Sequence, residues 1–98
     1  MDLSVGIAYR TDLTLALSAI NNILQQKSFV LKEPPPVVGI ASLGESFISL
    51  TIKPWVKVED LVIAQAEIYQ GVLEIFRDKQ IEILSPRREI RLVSSQSS

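Results

Sequence analysis

What this chain can fold into is constrained most by the order of its hydrophobic patterns. Some segments have the two-residue period of a strand, and others have the steps of three and four typical of a helix. Residues 3–9 alternate apolar side chains with small or polar ones, which is the period of a half-buried strand. Apolar residues then recur at steps of three and four, as on the buried face of a helix. They are Leu13, Ala16, Leu17, Ile20, Ile23 and Leu24. Thr11 or Asp12 can cap this helix, which we expect to end near Lys27.

A proline run and a predicted hairpin fill the middle of the chain. The three prolines of Pro34–Pro36 fix φ and favour extended geometry in the residues before them, so we expect a stiff connector. Residues 37–43 and 48–53 are predicted strands, and the turn at residues 44–46 predicts that they pair as a hairpin. The second strand has the clearest alternation of apolar and polar side chains, and Pro54 marks its end.

A second helix is predicted from Val58 to about Lys79, with Glu59 and Asp60 at its positive end. Its predicted buried stripe is Leu61, Ala64, Ile68, Val72 and Ile75. More apolar residues flank or oppose that stripe, namely Val62, Ile63, Tyr69, Leu73 and Phe76. Since a surface helix needs an apolar arc of only about 100°, this surplus, with Leu15 on the far face of the first helix, indicates a partner surface. Ordinary scattered apolar exposure is the alternative.

Two short extended segments follow, residues 81–83 and residues 88–93. The complete order is strand–helix–strand–strand–helix–strand, which is the ferredoxin-like arrangement. We predict an α+β sandwich in which two helices cover one face of a four-stranded antiparallel sheet, followed by a short C-terminal strand. On this prediction residues 1–86 form the domain, residues 87–93 the C-terminal strand and residues 94–98 a disordered tail.

Composition excludes most familiar active sites. The chain has 98 residues, enough for one core, and it contains neither Cys nor His. It therefore has no thiol nucleophile, no thiolate zinc site and no imidazole acid–base group. The carboxylate pairs do not indicate catalysis, because Glu59 and Asp60 suit a helix start, while Glu67 and Glu74 lie two turns apart on a solvated face. We predict that the chain is not an enzyme and has no catalytic residues, no metal site and no cofactor.

Charge and hydropathy argue against two classes of partner. With 10 basic and 11 acidic residues, the net charge is −1, which does not suit a nucleic-acid-binding surface. No apolar run reaches the roughly 18–20 residues that cross a bilayer, so we predict no direct membrane insertion by this segment. Trp55 is predicted to pack at the edge of the core rather than to stack on a ligand.

Several motifs are similar to those of a known family. They are Val-Gly-Ile-Ala-Tyr-Arg-Thr-Asp at residues 5–12, Val-Leu-Lys-Glu-Pro-Pro-Pro-Val-Val at 30–38, Leu-Gly-Glu-Ser at 43–46, Ile-Ser-Leu at 48–50 and Trp-Val-Lys-Val-Glu-Asp at 55–60. In order and spacing the chain resembles, across roughly residues 3–93, the C-terminal cytosolic α/β domain of the small-conductance mechanosensitive (MscS) channels. It departs from the family after the second helix, where an Ile-Pro-Phe-Pro-Gln-like segment is replaced by Ile-Leu-Ser-Pro-Arg at residues 83–87.

The resemblance implies a function in assembly. In that family seven copies of the domain form a hollow cage beneath a membrane pore, on the cytoplasmic side of the plasma (inner) membrane. Ions and small osmolytes pass through side openings of the cage, and membrane tension opens the pore. The resemblance also implies that this chain is a soluble fragment. Its expected partners are further copies of itself and the pore and β domains that it lacks.

The segment Arg88–Val93 is the predicted functional element. In the family that this chain resembles, the last strand of each copy joins a small barrel. An edge strand must be paired or covered, and a closed ring of strands satisfies it. The predicted oligomer interface is Arg88, Ile90, Arg91, Leu92, Val93, Leu15, Leu73 and Phe76. The alternatives are that this segment pairs inside its own domain or is disordered.

A second function remains open, a free-standing ferredoxin-like ligand-binding or regulatory domain, because fold alone does not choose between them. Within that class, a metal chaperone would need the Cys pair that is absent here. An RNA-binding domain would need aromatic and basic side chains on its central strands. The predicted strand at residues 48–53 presents Ser49, Thr51 and Lys53 instead.

Overall fold

The computed structural model describes residues 1–84, and the order of its elements is the predicted one. The elements are β1 (Leu3–Ile7), α1 (Leu13–Gln26), β2 (Val37–Leu43), β3 (Ile48–Lys53), α2 (Leu61–Asp78) and β4 (Ile83–Leu84). A turn of 3₁₀-helix at Val58–Asp60 leads into α2. The predicted strand at 88–93 and the tail at 94–98 lie outside the described residues, and the domain boundary at residue 86 stays a prediction.

The four strands form one antiparallel sheet in the order β2-β3-β1-β4. Apolar residues of the two central strands lie directly opposite one another; the pairs are Leu3 with Ile52, Val5 with Leu50, and Ile7 with Ile48. All six side chains share one face and are buried, in a single core, with residues of both helices. Each fully buried side chain of this kind contributes about 1.5–3 kcal/mol. The predicted α+β sandwich with both helices on one face of the sheet is confirmed.

Helix α1 begins where a side chain can satisfy its free amides. Asp12 is the N-cap, and its Oδ1 accepts a hydrogen bond from the Leu15 N–H at 3.2 Å. Such a cap stabilises a helix by about 1 kcal/mol. The buried face is close to the predicted one; it consists of Ala16, Ala19, Ile20, Ile23 and Leu24.

Helix α2 is rotated slightly from its predicted orientation. Its buried residues follow a spacing of four and are Ala64, Ile68, Val72 and Phe76. Phe76 is fully buried and belongs to the core, so its assignment to an oligomer interface is wrong. The physical reason is the helical period: Phe76 lies only about 40° around the axis from Val72, so its ring continues the buried face. Leu61, predicted to be buried, is exposed.

The two helices come close together at Gly71. A Cβ added at Gly71 would lie 3.2 Å from Cγ2 of Ile23 in α1, which is tight contact. Lys27 Nζ at the end of α1 lies 3.5 Å from Glu67 Oε1 of α2. These contacts place one flank of α2 against α1 and leave its opposite flank facing outward.

The prediction for Trp55 is wrong. Its side chain is more than half exposed, whereas the preceding Pro54 is fully buried. The backbone carbonyl of Trp55 accepts a hydrogen bond from the Leu31 N–H at 2.8 Å. Trp55, the second residue after β3, therefore holds the connector before the proline run through its backbone, while its indole remains outside the core.

Candidate assembly surfaces

Within residues 1–84 no group of three or more His, Cys, Asp or Glu residues could hold a metal ion, and no polar or charged side chain is buried. An open cleft of about 900 Å³ lies between the end of α1 and the proline run, with Asn21, Lys27 and Pro35 among its lining residues. The candidates for contact with a partner are two surfaces with exposed apolar side chains, one at each end of the sheet.

One surface lies at the outer strand β2. In the register Ile40 lies opposite Leu50, and Leu43 lies opposite Ile48, so both side chains are on the face that the helices cover. Both are nevertheless exposed, and Leu43 is 68% exposed. The core includes Val38 of the same strand, but it does not extend to Ile40 and Leu43. We call Ile40 and Leu43 the β2 margin.

The backbone of β2 is irregular beside this margin. Its register with β3 shifts between Ile40 and Ser42, where Ala41 is an extra residue. A bulge of this kind bends an edge strand and makes continuous pairing with another flat strand harder. The β2 margin is thus better suited to side-chain contact than to extension of the sheet.

The other surface lies on α2, on the flank turned away from α1. Val62, Tyr69 and Leu73 lie within about 40° of one another around the helix axis, and roughly opposite Gly71. Val62 is 83% exposed and Leu73 is 40% exposed. We call these three residues the α2 flank.

The α2 flank overhangs the free edge of β1. Among the described residues β4 pairs only with Gly6 and Ile7, so the first part of β1 has a strand on its β3 side and none on its β4 side. There the Ser4 N–H donates to the Tyr69 hydroxyl oxygen at 3.2 Å, and the same hydroxyl donates to the Ser4 carbonyl at 3.5 Å. A side chain of α2 therefore takes the position that a neighbouring strand would occupy.

Gly6 lets the last described strand approach β1. A Cβ added there would meet the carbonyl oxygen of Leu84 and would lie 2.7 Å from the Phe47 ring. The Arg10 guanidinium, three residues after β1, also reaches Glu82 Oε1 at 2.7 Å, which links the segment after β1 to the residue before β4. Both side chains of this ion pair are largely exposed, so it contributes at most about 1 kcal/mol.

The predicted interface residues fall into three groups. Leu15 and Leu73 are 37% and 40% exposed, which leaves both available for contact, and their place in an interface stays a prediction. Phe76 is excluded by its burial. The other five lie outside the described residues; they are Arg88, Ile90, Arg91, Leu92 and Val93.

Sequence reasoning missed the β2 margin and the Tyr69–Ser4 contact. Apolar Ile40 and Leu43 were visible in the sequence, but their exposure depends on how far the core extends across the sheet. The Tyr69 hydroxyl and Ser4 are 65 residues apart in the chain, and no local pattern joins them.

Neither helix among residues 1–84 is both long enough and apolar enough to cross a bilayer. The family model described as "Mechanosensitive ion channel MscS, C-terminal" matches residues 1–83. That match covers β1, both helices and the hairpin, and it ends at the first residue of β4.

Curated relatives agree with the family match. The chain is 27% identical over 97 residues to an uncharacterized MscS family protein of Synechocystis, covering 99% of this chain and 33% of the relative. It is 26% identical over 94 residues to a small-conductance mechanosensitive channel of Helicobacter pylori, covering 95% of this chain and 34% of the relative. The chain thus spans about one third of the length of the relatives it matches.

Solved structures share the fold. The crystal structure of Helicobacter pylori MscS in the closed state aligns with a TM-score of 0.80 at 24% identity, covering 89% of this chain and 35% of that one. The cryo-EM structure of Arabidopsis thaliana MSL1 aligns with a TM-score of 0.71 at 18% identity, covering 88% of this chain and 33% of that one.

Proposed function

Because the chain belongs to the MscS family of mechanosensitive ion channels, as its C-terminal domain, we propose that it is the cytosolic cage domain of such a channel. In this role it is an assembly and solute-filter module that supports tension-gated release of ions and osmolytes. The observation that carries the proposal is the family match over residues 1–83. The family is one of channels and not of enzymes, so the proposed role is structural.

The placement of exposed apolar residues supports assembly with further copies. The β2 margin and the α2 flank lie at opposite ends of the sheet and differ in residues and shape. A ring is built by head-to-tail contacts, in which one surface of a copy meets a different surface of the next. A twofold dimer would need only one self-complementary surface. Two unlike surfaces therefore favour a ring. We propose that the ring has seven copies, as in the channels that this chain resembles.

The proposal also includes the segment Arg88–Val93, which lies outside the described residues. Within it, Ile90 and Leu92 alternate with Glu89, Arg91 and Val93, as in a strand of a small barrel. We assign this segment to contacts between copies at the base of the cage. The pore and the β domain belong to the part of the channel that this chain does not cover, and the cage faces the cytoplasm beneath the plasma membrane.

The test is electrical and uses the whole protein that contains this chain. Reconstituted in liposome patches, it should conduct ions when suction raises membrane tension and close when tension is released. Empty liposomes control for leakage. Insertion without any tension-activated current, up to the tension that ruptures the patch, would contradict the proposal.

A further inference from the structure

A tyrosine hydroxyl ties the turn of the β2–β3 hairpin to the chain that follows β1. The Tyr9 hydroxyl donates a hydrogen bond to the backbone carbonyl of Gly44, although the two residues are 35 positions apart. Gly44 is the residue after β2, and its own N–H donates to the Phe47 carbonyl at 3.0 Å, which closes the turn. The turn is therefore held from within by a backbone bond and from outside by Tyr9.

Leu43, the last residue of β2, lies in a short stretch of strand between the bulge and this turn. The register with β3 shifts between Ile40 and Ser42. Two register pairs remain between that shift and the turn, and the second joins Leu43 to Ile48. The Leu43 side chain is 68% exposed, so the core gives it little support. A short strand end with few buried contacts opens more readily than the centre of a sheet, and a further bond to the turn therefore matters here.

The other end of the Tyr9 contact is firmly anchored. Tyr9 directly follows Ile7 and Ala8, which are both buried. Ile7 and Leu43 both lie opposite Ile48, on the two sides of β3. The hydrogen bond from Tyr9 to the turn therefore spans the start of β3 and joins the segment after a central strand to the end of the outermost one.

We propose that Tyr9 is a latch that fixes the β2–β3 turn and thereby holds Leu43 as a rigid apolar contact for a neighbouring copy of this chain. Holding a side chain in its bound position before association lowers the entropy that is lost on binding. A second copy is the occupant because the domain carries an unlike apolar surface, the α2 flank, at the opposite end of its sheet. Tyr9 acts through Leu43 and is thus a positioning residue. The inference rests on the proposed function and deepens it.

The chain carries a matched control for the hydroxyl. Its second tyrosine, Tyr69, also bonds to backbone groups through its hydroxyl, but at Ser4, near the opposite end of β1 from Tyr9. Removing either hydroxyl keeps an aromatic ring in place, so Tyr9→Phe and Tyr69→Phe should both fold. Only Tyr9→Phe removes a bond from the β2–β3 turn.

The first measurement is residue-resolved amide hydrogen exchange by NMR on the 98-residue chain and these two variants. The readout is the exchange rate of the Gly44 amide relative to that of buried Leu50, which corrects for any change in global stability. We expect this ratio to rise about fivefold in Tyr9→Phe, the effect of losing one neutral hydrogen bond, and to change less than about twofold in Tyr69→Phe. An unchanged ratio in Tyr9→Phe, or an equal rise in both variants, would overturn the latch.

The second measurement tests whether the latch acts through Leu43. It is the rate at which copies of the whole protein that contains this chain dissociate on dilution in detergent. Leu43→Ala should raise this rate about tenfold or more, and Tyr9→Phe should raise it by up to about fivefold. The double variant should dissociate no faster than Leu43→Ala alone, because the latch then has no side chain left to position.

An unchanged rate in either single variant, additive effects in the double variant, or a whole protein that stays monomeric would overturn the contact between Leu43 and a neighbouring copy. A whole protein that assembles with the expected rates but carries no tension-activated current would contradict the proposed function and leave the latch standing.

Discussion

The two ends of the sheet are exposed in different ways. At the β2 end the backbone is bulged and the apolar side chains of Ile40 and Leu43 are uncovered. At the β1–β4 end α2 extends past the edge of the sheet. The Tyr69 hydroxyl there forms hydrogen bonds with the backbone N–H and carbonyl of Ser4. One small sandwich thus presents an apolar strand at one end and an apolar helix flank at the other. Unlike ends of this kind are what head-to-tail assembly requires.

The largest expected difference between the two ends is in core packing. Phe76→Ala removes a fully buried ring from beneath α2 and should lower the free energy of unfolding by about 3–5 kcal/mol. Ile40→Ala, in the β2 margin, should cost about 1 kcal/mol or less, because its side chain is already exposed. Urea denaturation of the two variants measures both values. Similar losses of stability in the two variants would show that Ile40 is packed, and would contradict its exposure at the β2 margin.

A smaller difference is expected for two strand glycines. Gly6→Ala places a methyl group against the Phe47 ring at 2.7 Å and against the Leu84 carbonyl, so the strands must move apart, at a cost of about 2–3 kcal/mol. Gly39→Ala in β2 is the matched control, because a Cβ there meets nothing within 4 Å. Its stability should stay the same or rise by up to about 1 kcal/mol. Thermal unfolding of both variants checks this, and equal midpoints would contradict the close approach of β4 to β1.

Much of the fold could be predicted because the relevant signals are local. The alternation of β3 and the turn before it gave the bounds of β2 and β3 as the structure has them, residues 37–43 and 48–53. Strand β1 ends at Ile7, two residues earlier than predicted, and β4 begins at Ile83, two residues later. Strand ends depend on where a neighbouring strand stops, which a single segment does not reveal.

The surfaces were harder to predict than the elements. Phe76 and Ile75 lie on either side of the same buried stripe, and periodicity alone did not decide which side faces the core. The exposure of Trp55 follows from the burial of Pro54 beside it, and the exposure of Leu43 follows from the extent of the core. These are properties of tertiary packing, whereas the absence of Cys and His can be read directly from the composition.

The number of copies in the whole protein that contains this chain tests most directly whether the two unlike ends of this domain serve a closed ring. Native mass spectrometry of the whole protein, released from detergent micelles, measures that number. A single species of seven copies is predicted. A monomer, or a dimer built by one surface meeting itself across a twofold axis, would contradict the account.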